Sequence, residues 1–203
     1  MNLVSSLGLL QRLKLPVIST GDAAGALNTS HANASKILSR LQDAGQTYQI
    51  TRKYWTLKEN LDPLVIPEYL SIPWPSYISL QTALFYHGML SQIPRKVTAV
   101  SLSRTKSYQT SFGEIELRHI DKSLFCGFEL VGKYNLKLAT PEKAIVDLCY
   151  LRTAPRASKG RLPELEIPQR FSKKKAEEFI SKINSKVRRL QTHGQFEKLV
   201  LLN

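Results

Sequence analysis

The chain has 203 residues, 42% hydrophobic and 22% charged, which is an ordinary globular mixture. Its 29 Lys and Arg residues outnumber its 16 Asp and Glu residues; the net charge of +13 predicts a polyanionic partner, for which nucleic acid is the natural candidate. No apolar run reaches the roughly 18 residues of a membrane span, and the N-terminal leucines lack the preceding basic residues of a secretory signal. We therefore expect a cytoplasmic protein with no membrane partner. Cys126 and Cys149 are expected to be reduced core residues, because two distant thiols make neither a disulfide framework nor a zinc site.

Charge and proline content divide the chain into three parts. Residues 1–58 are basic, residues 59–76 are acidic and contain four prolines, and residues 77–203 are basic again. Because prolines at this density prevent a continuous helix, the middle part is predicted to be a structured connector between two domains. It is expected to pack through four side chains spread along its length, which are Leu64, Ile66, Tyr69 and Trp74.

Apolar spacing in residues 1–58 predicts three helices followed by a β-hairpin. Leucines at helical spacing form the first helix, which Pro16 ends. Within Thr20–Leu27, a capping residue and several small residues begin a short second helix that a neighbour can cross closely. The third helix is predicted over residues 31–44, where Gly45 stops it. The order of these elements predicts a winged helix-turn-helix.

The third helix and the hairpin carry the candidate DNA-binding residues. One face of the helix is apolar, and its other face can enter the major groove, where Asn pairs with adenine and Arg or Lys with guanine. The basic tip of the hairpin suits contact with the backbone or minor groove, and the helix N-terminus can bind a phosphate. The predicted DNA-binding residues are Ser30, His31, Asn33, Lys36, Arg40, Arg52 and Lys53. A unit of this size can also serve as a protein-docking module with merely solvated cations.

Residues 77–203 are predicted to form a larger mixed α/β domain, so the fold class of the whole chain is α+β. A core helix over 77–88 precedes a strand over 97–102 and a hairpin over 105–120. Another helix begins at Thr140, which caps it ahead of a proline. In the first of these helices, Ser79 is the expected capping residue. The expected core residues are Tyr77, Leu80, Ala83, Leu84 and Tyr86.

Four motifs follow one another in this domain. They are Y-I-S-L-x-x-A-L-x-Y-H-G at 77–88, V-T-x-V at 97–100, G-x-x-E-x-R-H-I at 113–120 and A-T-P-E-K-A-x-x-D-L at 139–148. In order and spacing they resemble the AbiEi family of antitoxins from abortive-infection systems. With the N-terminal module, the similarity covers most of residues 16–152, whereas the last quarter of the chain matches only loosely.

The AbiEi resemblance implies two activities. The winged module is implied to repress its own operon by binding double-stranded operator DNA, which we expect to contain inverted repeats. The second domain is implied to counteract a nucleotidyltransferase-like toxin encoded beside it, by direct contact or through the target of the toxin. The residue patterns themselves favour DNA binding and do not show an antitoxin. The alternative is a protein- or RNA-docking module that masks a toxin or its target without sequence-specific DNA binding.

The sequence lacks the usual motifs of enzymes, such as a Walker loop, G-x-S-x-G or H-E-x-x-H, so we expect no enzyme, cofactor or metal site. One conceivable nuclease set comprises Asp121, Glu142, Lys143 and Asp147. Helix capping already explains two of these four residues. His87 and His119 could form an acid–base pair with Asp147 only if the fold brought them together.

The end of the chain carries a predicted amphipathic helix that Ser172 caps. Its expected apolar face comprises Ala176, Phe179, Ile180, Ile183, Val187 and Leu190. Its basic residues form either a solvated face or a second electrostatic footprint on DNA or RNA. These possible secondary nucleic-acid contacts are Lys173, Lys174, Lys175, Lys182, Lys186, Arg188 and Arg189.

Overall fold

A computed structural model describes residues 2–154 and 164–201 of the chain. Within these ranges the protein has a mixed α+β fold, as predicted, with one small and one large sheet. The α-helices are α1 (Leu3–Gln11), α2 (Thr20–Ala26), α3 (His31–Asp43), α4 (Ile66–Ser71), α5 (Leu80–Tyr86), α6 (Pro141–Arg152), α7 (Lys173–Ser181) and α8 (Lys186–Leu201). The strands are β1 (Ile18–Ser19), β2 (Tyr48–Gln49), β3 (Tyr54–Thr56), β4 (Ser76–Ile78), β5 (Lys96–Ser101), β6 (Lys106–Thr110), β7 (Gly113–His119), β8 (Phe128–Val131) and β9 (Leu136–Ala139). The predicted 77–203 domain also includes residues 155–163, which lie outside the described ranges.

Helices α1 to α3 and the small sheet form the N-terminal module. The module has its own core, in which Ala34, Leu38 and Leu41 of α3 pack with Trp55 of β3. The sheet is antiparallel with the order β1-β3-β2. Helix α2 begins with a capping box, because Ser19 Oγ accepts from the amide of residue 22 while its own amide donates to the side chain of that aspartate. The cap therefore lies one residue before the predicted segment.

The large sheet is mixed, with the order β6-β7-β5-β4-β9-β8. Strand pairs β4–β9 and β5–β7 are parallel, and the other neighbours are antiparallel. Residues alternate between its two faces. The Tyr77 hydroxyl reaches α6 on one face, and the Tyr108 hydroxyl reaches the carbonyl of Leu70 in α4 on the other. The helices that follow the sheet thus lie against one face, and the connector lies against the opposite face.

The predicted connector is structured, and its middle part, which includes residues 65–67 and 70–71, is buried. A short 3-10 helix, Pro63–Val65, leads into α4. Ile66 is fully buried and Leu64 and Tyr69 are partly buried, in agreement with the expected packing. The expectation for Trp74 was wrong, since 53% of this residue is exposed. It lies between two prolines in the loop from α4 to β4. This loop extends past the last turn of α4, so the helix does not cover it.

Helix α5 begins at Leu80, directly after the predicted cap position Ser79, while Tyr77 and the residue after it belong to β4. Ser79 occupies the N-cap position, but its hydroxyl makes no capping bond and donates to Asp147 instead. Tyr77 is buried as expected, whereas the expectation for Tyr86 was wrong, since 54% of it is exposed. Cys149 is a core residue and burial raises its pKa to about 12, while Cys126 is only partly buried, contrary to expectation.

The predicted C-terminal helix is two helices. Ser172 caps α7 as expected, and Ser185 Oγ then accepts from the amide of Arg188 at 3.4 Å, which gives α8 a cap of its own. The new start rotates α8, so that Val187 and Leu190 are 65% and 64% exposed. The prediction that both belong to a buried apolar face was therefore wrong; the buried face of α8 comprises Thr192, Phe196 and Leu199. No helix in the described part of the chain is both long and apolar enough to cross a bilayer.

Candidate nucleic-acid interface

Helix α3 presents three polar side chains in one exposed stripe, which we call the α3 face: Asn33, Lys36 and Arg40. Their spacing of three and four residues places them on one side of the helix, opposite the buried Ala34 and Leu38. With 13 residues, α3 is about 20 Å long, which suits insertion along a major groove. The structure therefore brings together the three residues that were predicted to lie on this helix.

Local hydrogen bonds order the start of α3. Ser30 Oγ accepts from the backbone amide of Asn33, and the Asn33 side-chain amide donates to Thr29 Oγ1 at 2.7 Å. The first turn contains no acidic residue that would offset the positive end of the helix dipole, and His31 is exposed there. Asn33 keeps its side-chain oxygen and its second N–H for an external partner. The helix start can also receive a phosphate.

The hairpin tip is fixed to the second helix of the module. Thr20 donates from its backbone amide to the carbonyl of Lys53 at 2.9 Å, and the indole N–H of Trp55 donates to Thr20 Oγ1 at 3.2 Å. Arg52 and Lys53 are exposed at this tip. Because α2 packs against α3 in the small core, these bonds give the two tip cations a defined position relative to the α3 face.

The back of the module packs against the rest of the protein. Val17, Ile50 and Tyr54 belong to the large core rather than the small one. The hydroxyl of Ser111, in the β6–β7 turn, donates to the carbonyl of Gln49 at 2.7 Å. These contacts bury the side of the hairpin that faces the large sheet. The α3 face and the tip cations remain exposed.

The seven C-terminal basic residues are used in two different ways. Arg188 stacks on Tyr150, with its guanidinium carbon 3.7 Å from the ring centroid, and donates to the Tyr150 hydroxyl at 2.6 Å and to Thr153 Oγ1 at 3.3 Å. Arg189 donates to the backbone carbonyl of Ile183. Both arginines are therefore occupied in holding α8 in place. The exposed lysines are Lys173, Lys174, Lys175, Lys182 and Lys186, of which Lys182 donates to the sulfur of Cys126.

Four polar residues from separate motifs form a buried network, which we call the Asp147 cluster: Tyr77, Ser79, Lys143 and Asp147. Each of them is at most 1% exposed. Lys143 and Asp147 form an ion pair one turn apart on α6, and the other carboxylate oxygen accepts from Ser79 Oγ at 2.7 Å and from the Tyr77 hydroxyl at 2.9 Å. A Cβ atom at Gly127 would lie 2.6 Å from Phe179 of α7, so glycine lets α7 close over this cluster.

Burial dominates the electrostatics of the Asp147 cluster. It raises the pKa of Asp147, and the contacts from Lys143, Ser79 and Tyr77, which lower that pKa, do not fully compensate. Burial and the neighbouring carboxylate also raise the pKa of Tyr77 well above its ordinary value. None of these four side chains reaches the surface, and their contacts join β4, the start of α5 and α6.

In the conceivable nuclease set, Lys143 and Asp147 pair inside the buried cluster, whereas the other two acidic residues have partners elsewhere. Glu142 accepts from the backbone amide of Ser172 at 3.1 Å and fixes the start of α7, while Asp121 is exposed and accepts from Ser123. The rings of His87 and His119 each pair with a backbone carbonyl, of Ala139 and Ser103 respectively. Over residues 2–154 and 164–201, no group of three or more His, Cys, Asp or Glu side chains is placed to hold a metal ion.

Sequence reasoning missed the Asp147 cluster although its residues stood in the quoted motifs. Lys143 and Asp147 lie four residues apart in a helix that is otherwise mostly apolar, and this spacing is a signal for an internal ion pair. Tyr77 and Ser79 lie 70 and 68 residues before Asp147 in the sequence, and only the fold brings them into contact with it.

No protein-family model and no curated protein sequence matches this chain.

Proposed function

We propose that this protein is a transcriptional autorepressor whose N-terminal module acts as a winged helix-turn-helix on double-stranded DNA. The observation that carries the proposal is the exposed α3 face, held beside the tip cations Arg52 and Lys53 while the back of the module is packed against the large core. Both parts of the interface point away from the rest of the protein, as groove insertion requires.

Each part of this interface suits a different part of the duplex. Asn33, Lys36 and Arg40 can read base edges in the major groove, and each good contact discriminates by about 1 to 3 kcal/mol. The tip cations and the start of α3 suit phosphates, which supply affinity without sequence information. A net charge of +13 adds long-range attraction to the polyanion.

The AbiEi resemblance extends the proposal to an antitoxin that acts in the cytoplasm and is not an enzyme. In this role the second domain counteracts a nucleotidyltransferase-like toxin, directly or through its target. The motifs behind the resemblance contribute the four residues of the Asp147 cluster, which hold the second domain together. They support a shared fold for this domain, and the antitoxin role rests on the resemblance.

The test is a gel-shift titration on duplex DNA from immediately upstream of the gene, at several salt concentrations and against scrambled duplex. We expect a specific shift in the wild type and its loss in the double variant Lys36→Ala/Arg40→Ala. The matched control, Lys173→Ala/Lys174→Ala, removes the same number of exposed charges from α7 and should keep the specific shift. Equal binding of native and scrambled duplex by the wild type would refute autorepression.

The two proposed roles separate in the cell. Replacing Arg52 and Lys53 with alanine should weaken repression of a reporter under the upstream promoter, while rescue from the neighbouring toxin survives. Loss of rescue together with repression, in a variant that still folds, would contradict an antitoxin role located in the second domain.

A further inference from the structure

The loop between α4 and β4 exposes an indole ring. Trp74 is 53% exposed and Ile72, two residues before it, is 56% exposed, whereas the other tryptophan of the chain, Trp55, is 2% exposed. Tryptophan is large and apolar, and it is highly buried on average. An indole left in water at this place needs an explanation beyond folding.

The loop that carries Trp74 is anchored on both sides of the ring. The backbone amide of Trp74 donates to the carbonyl of Ser71 at 2.9 Å, and the carbonyl of Pro75 accepts from Ser101 Oγ at 2.8 Å. Ser71 Oγ also bonds to Ser76 Oγ at 3.1 Å across the base of the loop. Prolines at 73 and 75 further restrict the backbone. The ring is therefore presented on an ordered loop, which lowers the entropic cost of binding a partner.

Basic side chains lie at the same end of the large sheet. Lys106, at the start of β6, stacks over Tyr108 with its Nζ 4.7 Å from the ring centroid, and the Tyr108 hydroxyl donates to the carbonyl of Leu70, two residues before Ile72. Arg104 lies in the connection that follows Ser101, the residue that bonds to Pro75. Both cations are exposed.

This side of the sheet end is basic. His119 lies next to Arg104, because its Nδ1 pairs with the carbonyl of Ser103 and its amide donates to Thr105. It is exposed. Asp121 follows His119 by two positions, and its carboxylate accepts from the amide and hydroxyl of Ser123. Glu68, six positions before Trp74, is ion-paired with Lys137.

We propose that Trp74, Arg104 and Lys106 form a binding site for single-stranded nucleic acid, separate from the duplex-binding α3 face. An unpaired base stacks on the indole, and the flanking phosphates contact the two cations. Aromatic rings beside cations are the usual platform for single strands, since every base has a flat face and every linkage a negative charge. A duplex hides its base faces in the stack, so it does not offer the indole the same contact.

The test uses the full-length variant Lys36→Ala/Arg40→Ala, so that the α3 face does not contribute. Labelled fifteen-nucleotide oligo(dT) and oligo(U) are titrated by fluorescence anisotropy, and the intrinsic tryptophan emission is recorded in parallel. We expect binding with quenching of the emission. Adding Trp74→Leu should weaken binding about tenfold and abolish the quenching of tryptophan emission, because Trp55 is then the remaining tryptophan and is buried.

The cations are tested through salt dependence. Adding Arg104→Ala/Lys106→Ala should lower the slope of log affinity against log salt by about 1.4, since each phosphate contact with a single strand contributes about 0.7. A matched control should bind like the parent: Tyr86→Ala, which removes an exposed aromatic ring from α5. Circular dichroism melting curves confirm that each variant folds.

The proposal is overturned by any of three results. Trp74→Leu could leave affinity for the single strand unchanged, or Tyr86→Ala could weaken it equally. A blunt duplex of the same length could compete as well as the single strand, which would assign the patch to double-stranded DNA. Each of these outcomes leaves the test of the α3 face unaffected, because that test compares the wild type with the variant Lys36→Ala/Arg40→Ala on duplex operator DNA.

Discussion

The Asp147 cluster and the α3 face each combine cationic and neutral polar side chains, but their surroundings differ completely. In the cluster, Lys143 and Asp147 are fully buried and every contact is internal. On the α3 face, Lys36 and Arg40 are exposed. A buried charge is tolerated only with a partner inside the protein, whereas an exposed charge can pair with a group of another molecule.

This difference shows how the AbiEi resemblance bears on function. The first and last of the four motifs contribute Tyr77 and Ser79 on one side of the cluster and Lys143 and Asp147 on the other. Their spacing follows from the need to satisfy a buried carboxylate from two distant segments. The residue types at these positions are therefore explained by the internal packing of the second domain, while partner choice depends on the surface.

The largest effect on stability is expected when one member of the buried ion pair Lys143–Asp147 is removed. Lys143→Met leaves the Asp147 carboxylate without its counter-ion, and we expect a loss of about 3 to 5 kcal/mol in the free energy of unfolding, measured in urea. The double variant Lys143→Met/Asp147→Leu removes both charges and should recover part of that loss. A single variant within about 0.5 kcal/mol of the wild type would mean that the cluster does not hold the fold.

Arg188 tests whether a basic residue of the C-terminal segment belongs to the inside of the protein. Arg188→Ala removes the stacking on Tyr150 and the bond to Thr153, and we expect a stability loss of about 2 kcal/mol in urea. Lys186→Ala, two residues earlier and exposed, should change stability by less than about 0.5 kcal/mol. Equal effects of the two substitutions would remove the distinction between internal and external cations on α8.

The tip cations Arg52 and Lys53 test whether exposed charges contribute to DNA binding and not to stability. Arg52→Ala/Lys53→Ala should lower the slope of log duplex affinity against log salt by about 1.8, because each phosphate contact contributes about 0.9. Stability in urea should stay within about 0.5 kcal/mol of the wild type, since both side chains are exposed. Unchanged salt dependence, measured by anisotropy on operator duplex, would place the tip away from the phosphates.

Glu116 is partly buried, so it lies between the fully buried Asp147 cluster and the exposed α3 face. Of the substitutions expected to destabilise the protein, that of Glu116 should have the smallest effect. Burial raises its pKa, but hydrogen bonds and charge from Lys96 and Arg118 outweigh burial and bring the pKa below its ordinary value of 4.5. Because the folded-state pKa is lower than the unfolded one, the contribution of Glu116 to stability is present above about pH 4.5 and is lost as the pH falls through the folded-state value.

Glu116→Gln should therefore destabilise the protein by about 0.5 to 1 kcal/mol at pH 7. In urea titrations the difference from the wild type should shrink as the pH falls below the ordinary pKa of 4.5. A difference that stays constant or grows on acidification would show that the contacts with Lys96 and Arg118 do not favour the ionised carboxylate.

The sequence by itself determined the elements that depend on neighbouring residues. The start of α3 after Ser30 and its end before Gly45, which has a φ of 68°, follow from local capping and backbone preference. Helix α6 begins at the predicted Thr140–Pro141 pair for the same reason. The exposed stripe of α3 follows from helical periodicity alone.

The tertiary structure decided which polar and apolar side chains are satisfied internally. Helical periodicity predicted that Val187 and Leu190 would be buried, and the connector was expected to pack through Trp74. Ser79 was predicted to cap a helix through its hydroxyl. Trp74 is exposed because of the path of the α4–β4 loop at the end of the sheet, and Val187 and Leu190 are exposed because α8 has its own cap at Ser185. The Ser79 hydroxyl bonds to Asp147 because α6 packs next to β4. These are contacts between segments far apart in sequence, and no local preference specifies them.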